Sequence, residues 1–236
     1  MSQLTVCTPP PKKYQPKGLT ILHEDKDILV IDKPSGLLTV GSDHNKSLTT
    51  AHYLLNNYVR KGNPKSHQRV YVVHRLDQAT SGLLVFAKSE SAKTFLQENW
   101  DQTDKHYFAV IHGQMLKKQG TITSFFMENK ANHVYSTVDA NAGKLAETGY
   151  IVLQEKNAFS LLDIHLLTGR KHQIRVHFAE CGHAVVGDQK YGNEYRNAKR
   201  LALHAKSLTF THPFNKRKMR FISAMPEDFN RLLGNR

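Results

Sequence analysis

Residues 70–89 read VYVVHRLDQATSGLLVFAKS. Two apolar, strand-like runs frame a charged piece, His74-Arg75-Leu76-Asp77. Runs of this kind fit strands buried on both faces, which puts ionisable groups at the mouth of a sheet. In an extended segment residues i and i+2 share a face, so Arg75 and Asp77 fall together. Spacing alone leaves two readings open. The pair is either a local surface ion pair, worth little, or a functional pair. Thr80-Ser81-Gly82 are small and let another group approach the backbone closely, which favours the second. An Asp at such a mouth needs a partner to stay ionised, because burial alone raises its pKa.

The rest of the chain reads as more short strands with a few helices. ILVIDKPSGLLTV (28–40) is a buried strand, a Pro-Ser-Gly turn and a second extended piece. Leu48, Ala51, Leu55 and Tyr58/Val59 recur at helical spacing over 47–60, and KGNPKSHQR is a basic loop. Ser89 is an N-cap for a helix to about Asn99, with Glu90 in its first turn. KHYFAVIHG (105–113) is a strand, and 120–145 is a looser β region. GYIVLQE and FSLLDIHLL pair around Lys156-Asn157. Thr168-Gly169 then turns the chain into a helix from Lys171 to Cys181, with Gly182 as its stop. HAKSLTFTHP and KMRFISA form a last strand pair, and a short helix from Pro226 to Leu233 follows. The expected class is α+β, a mixed, mainly antiparallel sheet core with flanking helices.

Residues 1–18 hold four of the eight prolines among polar and basic residues and read as a flexible tail. Residues 19–236 read as one catalytic domain, a length that buries a sizeable core. Two cysteines, one in the tail, fit a reducing cytoplasm, and no apolar run reaches membrane-spanning length. Thirty-three Lys and Arg against twenty Asp and Glu give a net charge of +13. A balance that basic points to a polyanionic partner. The positive residues are spread through the chain without a long basic block, which favours a moulded nucleic-acid surface over an arm or membrane helix.

The helix after Thr168 carries Arg170, Lys171, His172, Arg175 and His177 around much of its circumference. Either this is a basic solvated face, or one arginine faces inward to hold Asp77 while the others contact phosphates. His172 and His177 are five apart and no carboxylate or thiol set completes a zinc site, so no metal is expected. Tyr107, beside Lys105, is either a packing residue or a ring that stacks on a base or exchanges a proton. Walker A, GxSxG and Rossmann fingerprints are missing from the sequence, which leaves nucleotide hydrolysis, esterase and NAD chemistry without support.

HRLDQATSGLLVFAK resembles the signature of the RluA-type pseudouridine synthases. LVIDKPSGLLTV, KHYFAVIHG, LLTGRKHQIRVHFAECGHAVVGDQKYG and LALHAKSLTFTHP resemble further blocks of that family, in its order, from about residue 20 to 225. The resemblance implies the pseudouridine synthase fold in a compact form, without a separate small RNA-binding domain ahead of it. It implies an enzyme that isomerises uridine in ribosomal or transfer RNA, with no cofactor. Asp77 matches the family's catalytic aspartate and Tyr107 its tyrosine. Arg175 matches the basic residue paired with the aspartate. Arg75 matches the arginine that displaces the target nucleotide and fills its place. His74, Thr80, Arg170 and His172 are further substrate-binding candidates. Gln78 stands where many relatives carry a basic residue, and Ala146, Thr148 and Tyr150 fit a looser family pattern.

The chemistry is consistent with those types. The uracil must leave C1′, rotate, and rejoin through C5. A stacked target must be flipped out, which costs a few kcal/mol. Cleavage needs one held carboxylate, acting as nucleophile or as base at C2′; the residues leave both routes open. Two rivals remain, an RNA glycosidase that releases the base and a non-catalytic RNA-binding protein with the same fold. A cytoplasmic monomer with RNA as its partner is the expectation.

Overall fold

A computed structural model describes residues 10–41, 49–192 and 198–234. Strands β1 (Thr20–Glu24) and β2 (Ile28–Lys33) lead to α1 (Ala51–Arg60), β3 (Tyr71–Val72), β4 (Ser81–Ala87) and α2 (Glu90–Glu98). Next come β5 (Asp104–His112), β6 (Gln119–Glu128), β7 (Val134–Thr137), β8 (Lys144–Lys156) and β9 (Phe159–Leu166). Then follow α3 (Gln173–Glu180), β10 (Leu203–Thr211), β11 (Lys218–Ile222) and α4 (Glu227–Leu232). The pairs β1–β2, β2–β4, β3–β4, β5–β9, β6–β7, β6–β8, β8–β9 and β10–β11 are antiparallel, and the α+β class holds. No helix among the described residues is long and apolar enough to cross a membrane.

The chain divides into two compact units. The first runs to Thr103 and adds Ser207–Ser223; the second is Asp104–Lys206 and the segment from Ala224. In the first unit the strand order is β1-β2-β4-β10, with β11 on β10 and β3 on β4. β2 pairs with β4 from Ile28↔Ala87 to Lys33↔Gly82. All seven residues of β4 are buried, as are Ile28 to Ile31, so these strands read as unbroken apolar runs. Thr50 caps α1 by accepting the Tyr53 N–H, and Ser89 caps α2 by accepting the Ala92 N–H, each at 3.1 Å. The expected helix over 47–60 therefore begins at Ala51, after the Thr50 cap; residues 47 and 48 lie outside the described residues.

Within the stretch expected as a tail, Lys12–Tyr14 form a 3-10 turn. Gln15 bonds to Ile21 of β1 through both ends of its amide, at 2.8 and 3.3 Å. In the second unit the order is β5-β9-β8-β6-β7. The 120–145 region is more regular than its polar composition suggests. β6 pairs along Gln119–Phe126 with β8 and along Phe125–Glu128 with β7. The β8–β9 hairpin turns at Asn157, whose φ is 56°.

Candidate active site

The apolar run 70–73 does not continue as a strand. β3 stops at Val72, because His74 takes over its place beside β4: the His74 Nε2 accepts the Val85 N–H at 3.1 Å. Its ring stacks on Trp100 with centroids 4.2 Å apart. Beyond Val72 the chain carries no further strand pairing, so Arg75 and Asp77 stand in a loop rather than on a paired strand. Arg75 is exposed, Leu76 buried and Asp77 half-buried. The Asp77 carbonyl accepts the N–H of buried Thr80 at 3.1 Å, which closes the turn into β4. Gly82 then sits at φ 109°, where a Cβ is disfavoured, so the small pair Ser81-Gly82 has a backbone reason. His74 and Thr80, expected to touch substrate, thus hold the loop that presents Arg75 and Asp77.

A second segment of the same unit pins this loop from both sides of Asp77. The Thr39 hydroxyl donates to the Leu76 carbonyl at 2.9 Å and accepts its N–H at 3.3 Å. Gly36 N–H donates to the Gln78 carbonyl at 2.8 Å, and the Gln78 amide returns a bond to the Gly36 carbonyl at 3.0 Å. Ser35 donates to the Ala79 carbonyl at 2.7 Å. Lys33 is fully buried, and its Nζ donates to the carbonyls of Pro34, Leu37 and Gln78 at 3.0, 2.7 and 3.2 Å. A buried ammonium is tolerated when its donors are satisfied. In the sequence the Pro34-Ser35-Gly36 turn and the family block around it are apparent, but nothing marks Thr39 as a support of the site. The one signal for Lys33 is that a lysine closes the buried run ILVID.

The remaining candidates lie in the second unit. Tyr107 stands in the middle of β5, opposite Ile164 of β9, and is 8% exposed. Arg175 of α3 is also buried. It forms a fork with Asp188, Nε to Oδ2 and Nη2 to Oδ1, both at 2.8 Å. Burial would raise the Asp188 pKa, but the Arg175 bonds and charge, with the Lys190 and Tyr191 N–H groups, hold it below the usual range. Gly187, just before it, has φ 78°, and a Cβ there would stand 2.1 Å from the Arg200 carbonyl oxygen. Asp188 lies inside the GDQKYG stretch of the sequence, where neither spacing nor charge pattern marks it.

The five basic residues of this segment separate rather than share a face. Arg170 and Lys171 are exposed; Arg170 donates to the Leu145 carbonyl at 2.8 Å, and Lys171 pairs with Glu128. The helix begins only at Gln173, because His172 adopts a left-handed conformation, φ 56°. The His172 Nδ1 lies 2.7 Å from the Tyr191 hydroxyl. His177 is buried between the hydroxyls of Thr148 and Ser124, at 2.8 and 2.9 Å, and burial lowers its pKa to about 4. Gln173 ties β8 to this helix through the Glu147 carbonyl and the Thr148 hydroxyl, both at 2.9 Å.

Two groups of three side chains among the described residues bring possible metal-ligand atoms within 4.8 Å. Asp104 already bonds both His106 and His165, and Asp25 bonds His212; neither group includes a residue expected at the site.

A family model described as RNA pseudouridylate synthase matches residues 27–180. An uncharacterized RNA pseudouridine synthase of Mycobacterium bovis is 38% identical over 224 residues, which cover 92% of this chain and 72% of that protein. The ribosomal large subunit pseudouridine synthase D of Xanthomonas campestris is 36% identical over 231 residues, 91% of this chain and 68% of its own. Human RNA pseudouridylate synthase domain containing 4 shares the fold, with a TM-score of 0.73 at 24% identity over 89% of each chain. The matched span contains the pinned Asp77 loop, the Tyr107 strand and the Arg175 helix, and the chain belongs to the RluA-type RNA pseudouridine synthases, isomerases that convert uridine in RNA to pseudouridine.

Proposed function

We propose that this enzyme modifies ribosomal or transfer RNA, with Asp77 as the catalytic carboxylate. One observation carries the reading: the backbone is bonded on both sides of Asp77, at Leu76 and at Gln78, Ala79 and Thr80, by a second segment and by its own turn. A carboxylate that must act at one sugar carbon gains most from being held in place before the substrate arrives. Arg75, exposed one residue beyond the buried Leu76 anchor, is free to enter the RNA and stack where the flipped uridine was. Tyr107 supplies a ring to stack on the uracil and a hydroxyl to take part in moving the C5 proton.

Arg175 as the charge partner of Asp77 follows from the family resemblance. A guanidinium has five N–H donors, and the fork on Asp188 uses two of them while fixing its plane. Arg170 and His172 are assigned to RNA phosphate contacts as basic residues of the same segment, supported by the exposure of Arg170. The reaction transfers no electrons and releases no group, so the mechanism calls for no metal or cofactor. A cytoplasmic monomer is the working form. Mapping pseudouridines in total RNA from a strain lacking this protein tests the substrate class. Loss of a site in ribosomal or transfer RNA supports it; an unchanged map in both RNAs contradicts it.

A further inference from the structure

The first unit carries an open cavity of about 1100 Å³ that the proposed chemistry does not use. It lies at the C-terminal end of α1 and is also lined by Pro10 and by Tyr14 to Lys17. Arg60 lines it, and its Nε is the one buried side-chain nitrogen or oxygen among the described residues without a hydrogen-bond partner. A buried donor left unmet is destabilising, and an anion would satisfy it.

The cavity's single carboxylate is already engaged. Glu24 accepts the Lys88 ammonium at Oε1 and the Tyr58 hydroxyl at Oε2, both at 2.7 Å. Burial, and then the bond to Glu24, push the Tyr58 phenol up to about 12, so it stays a neutral donor. Lys17, Arg60 and Lys61 therefore leave the lining with unbalanced positive charge. Cations at a helix C-terminus complement its dipole, which accounts for Arg60 and Lys61 as residue types. It does not account for a buried guanidinium N–H without an acceptor. Tyr14, 63% exposed on the rim, adds a ring on which a base can stack.

The position of the cavity connects it to the Asp77 loop. The first turn of α1 is bonded to the segment that clamps that loop: Ala51 and His52 N–H groups donate to the Leu38 and Thr39 carbonyls at 2.8 and 3.0 Å. Ten residues of helix then span about 15 Å to Arg60. That separation corresponds to a few nucleotides of RNA.

We propose that this cavity seats a backbone phosphate of the RNA substrate, a few nucleotides from the reacting uridine, on Arg60 Nε with Lys17 and Lys61 as flanking cations. The inference rests on Asp77 marking the reacting centre, and its test reads binding, so the two can fail separately. The probe is a short, fluorescently labelled, uridine-rich single-stranded RNA, titrated with the full chain at several salt concentrations. Arg60→Gln is expected to raise Kd several-fold and to flatten the log Kd against log salt slope by about 0.7, the loss of one phosphate contact. Arg60→Lys keeps the charge and is expected to keep the slope. Lys61→Gln, on an exposed side chain, carries the same test if Arg60→Gln does not fold. Wild-type Kd and slope in folded Arg60→Gln and Lys61→Gln proteins would overturn the proposal. Full isomerase activity in Asp77→Asn would remove the reacting-centre reading while leaving the phosphate result standing.

Discussion

Thr39 grips Leu76 by both backbone groups, its hydroxyl donating to the carbonyl at 2.9 Å and accepting the N–H at 3.3 Å. The residue it grips lies between Arg75 and Asp77, so a side chain 37 positions upstream governs where both point. Thr39→Val keeps the shape and removes the hydroxyl. It is expected to cost about 1–3 kcal/mol of stability, because two buried backbone groups lose their partner. Turnover is expected to fall up to about 100-fold, as a carboxylate displaced by an ångström loses its alignment. RNA binding stays near wild type and Thr39→Ser restores turnover. Wild-type turnover in Thr39→Val would mean that this clamp does not position the loop.

Lys33 supports the same loop from beneath. Lys33→Met fits a similar volume but leaves the Pro34, Leu37 and Gln78 carbonyls without its ammonium. A loss on the order of 3 kcal/mol is expected, seen as a lower midpoint in urea or on heating. An unchanged midpoint would show that these carbonyls do not depend on the lysine.

Much of the fold was legible in the sequence, since its apolar runs are long where strands are buried on both faces. The strands β2 and β4 and the Ser89-capped helix stand where those runs and that cap put them. The end of β3 was not legible. The apolar run VYVV reads as strand through Val73, but a histidine ring takes the place of a strand neighbour beside Val85. The fork between Arg175 and Asp188 was hidden for another reason. It joins a helix to a loop that has no periodicity of its own, and only the tight approach at Gly187 marks the place. His177 looked like one more surface cation, because charge type in a sequence does not report burial.

His177 gives a pH prediction. Its pKa falls from 6.5 to about 4 on folding because burial disfavours the imidazolium. The unfolded chain therefore binds the proton first. Stability is lost as pH falls from about 6.5 toward about 4, by an amount on the order of 3 kcal/mol at the limit. His112, also lowered by burial, acts with the same sign. The penalty of His177→Gln at neutral pH should shrink across that window, as measured by denaturant unfolding at each pH. A penalty that stays constant would show that His177 does not titrate with folding. Asp188 is also lowered, and its contribution is lost only at more acidic pH, below 3.8.

Tyr107→Phe separates the two jobs assigned to that ring. The phenyl still stacks, but the hydroxyl is gone. Turnover is expected to fall by about 100-fold or more, the range for loss of a proton-transfer group, with RNA affinity unchanged. Turnover close to wild type would leave Tyr107 with stacking alone.

The most direct measurement is the formation of pseudouridine by the Asp77→Asn protein on the RNA site identified by mapping, alongside its affinity for that RNA. The replacement keeps size and one acceptor oxygen, turns the other oxygen into an NH2 donor, and removes the charge. No pseudouridine above background, with Kd within several-fold of wild type, is the expected result. Pseudouridine formed at the wild-type rate would contradict the assignment of Asp77 as the catalytic carboxylate.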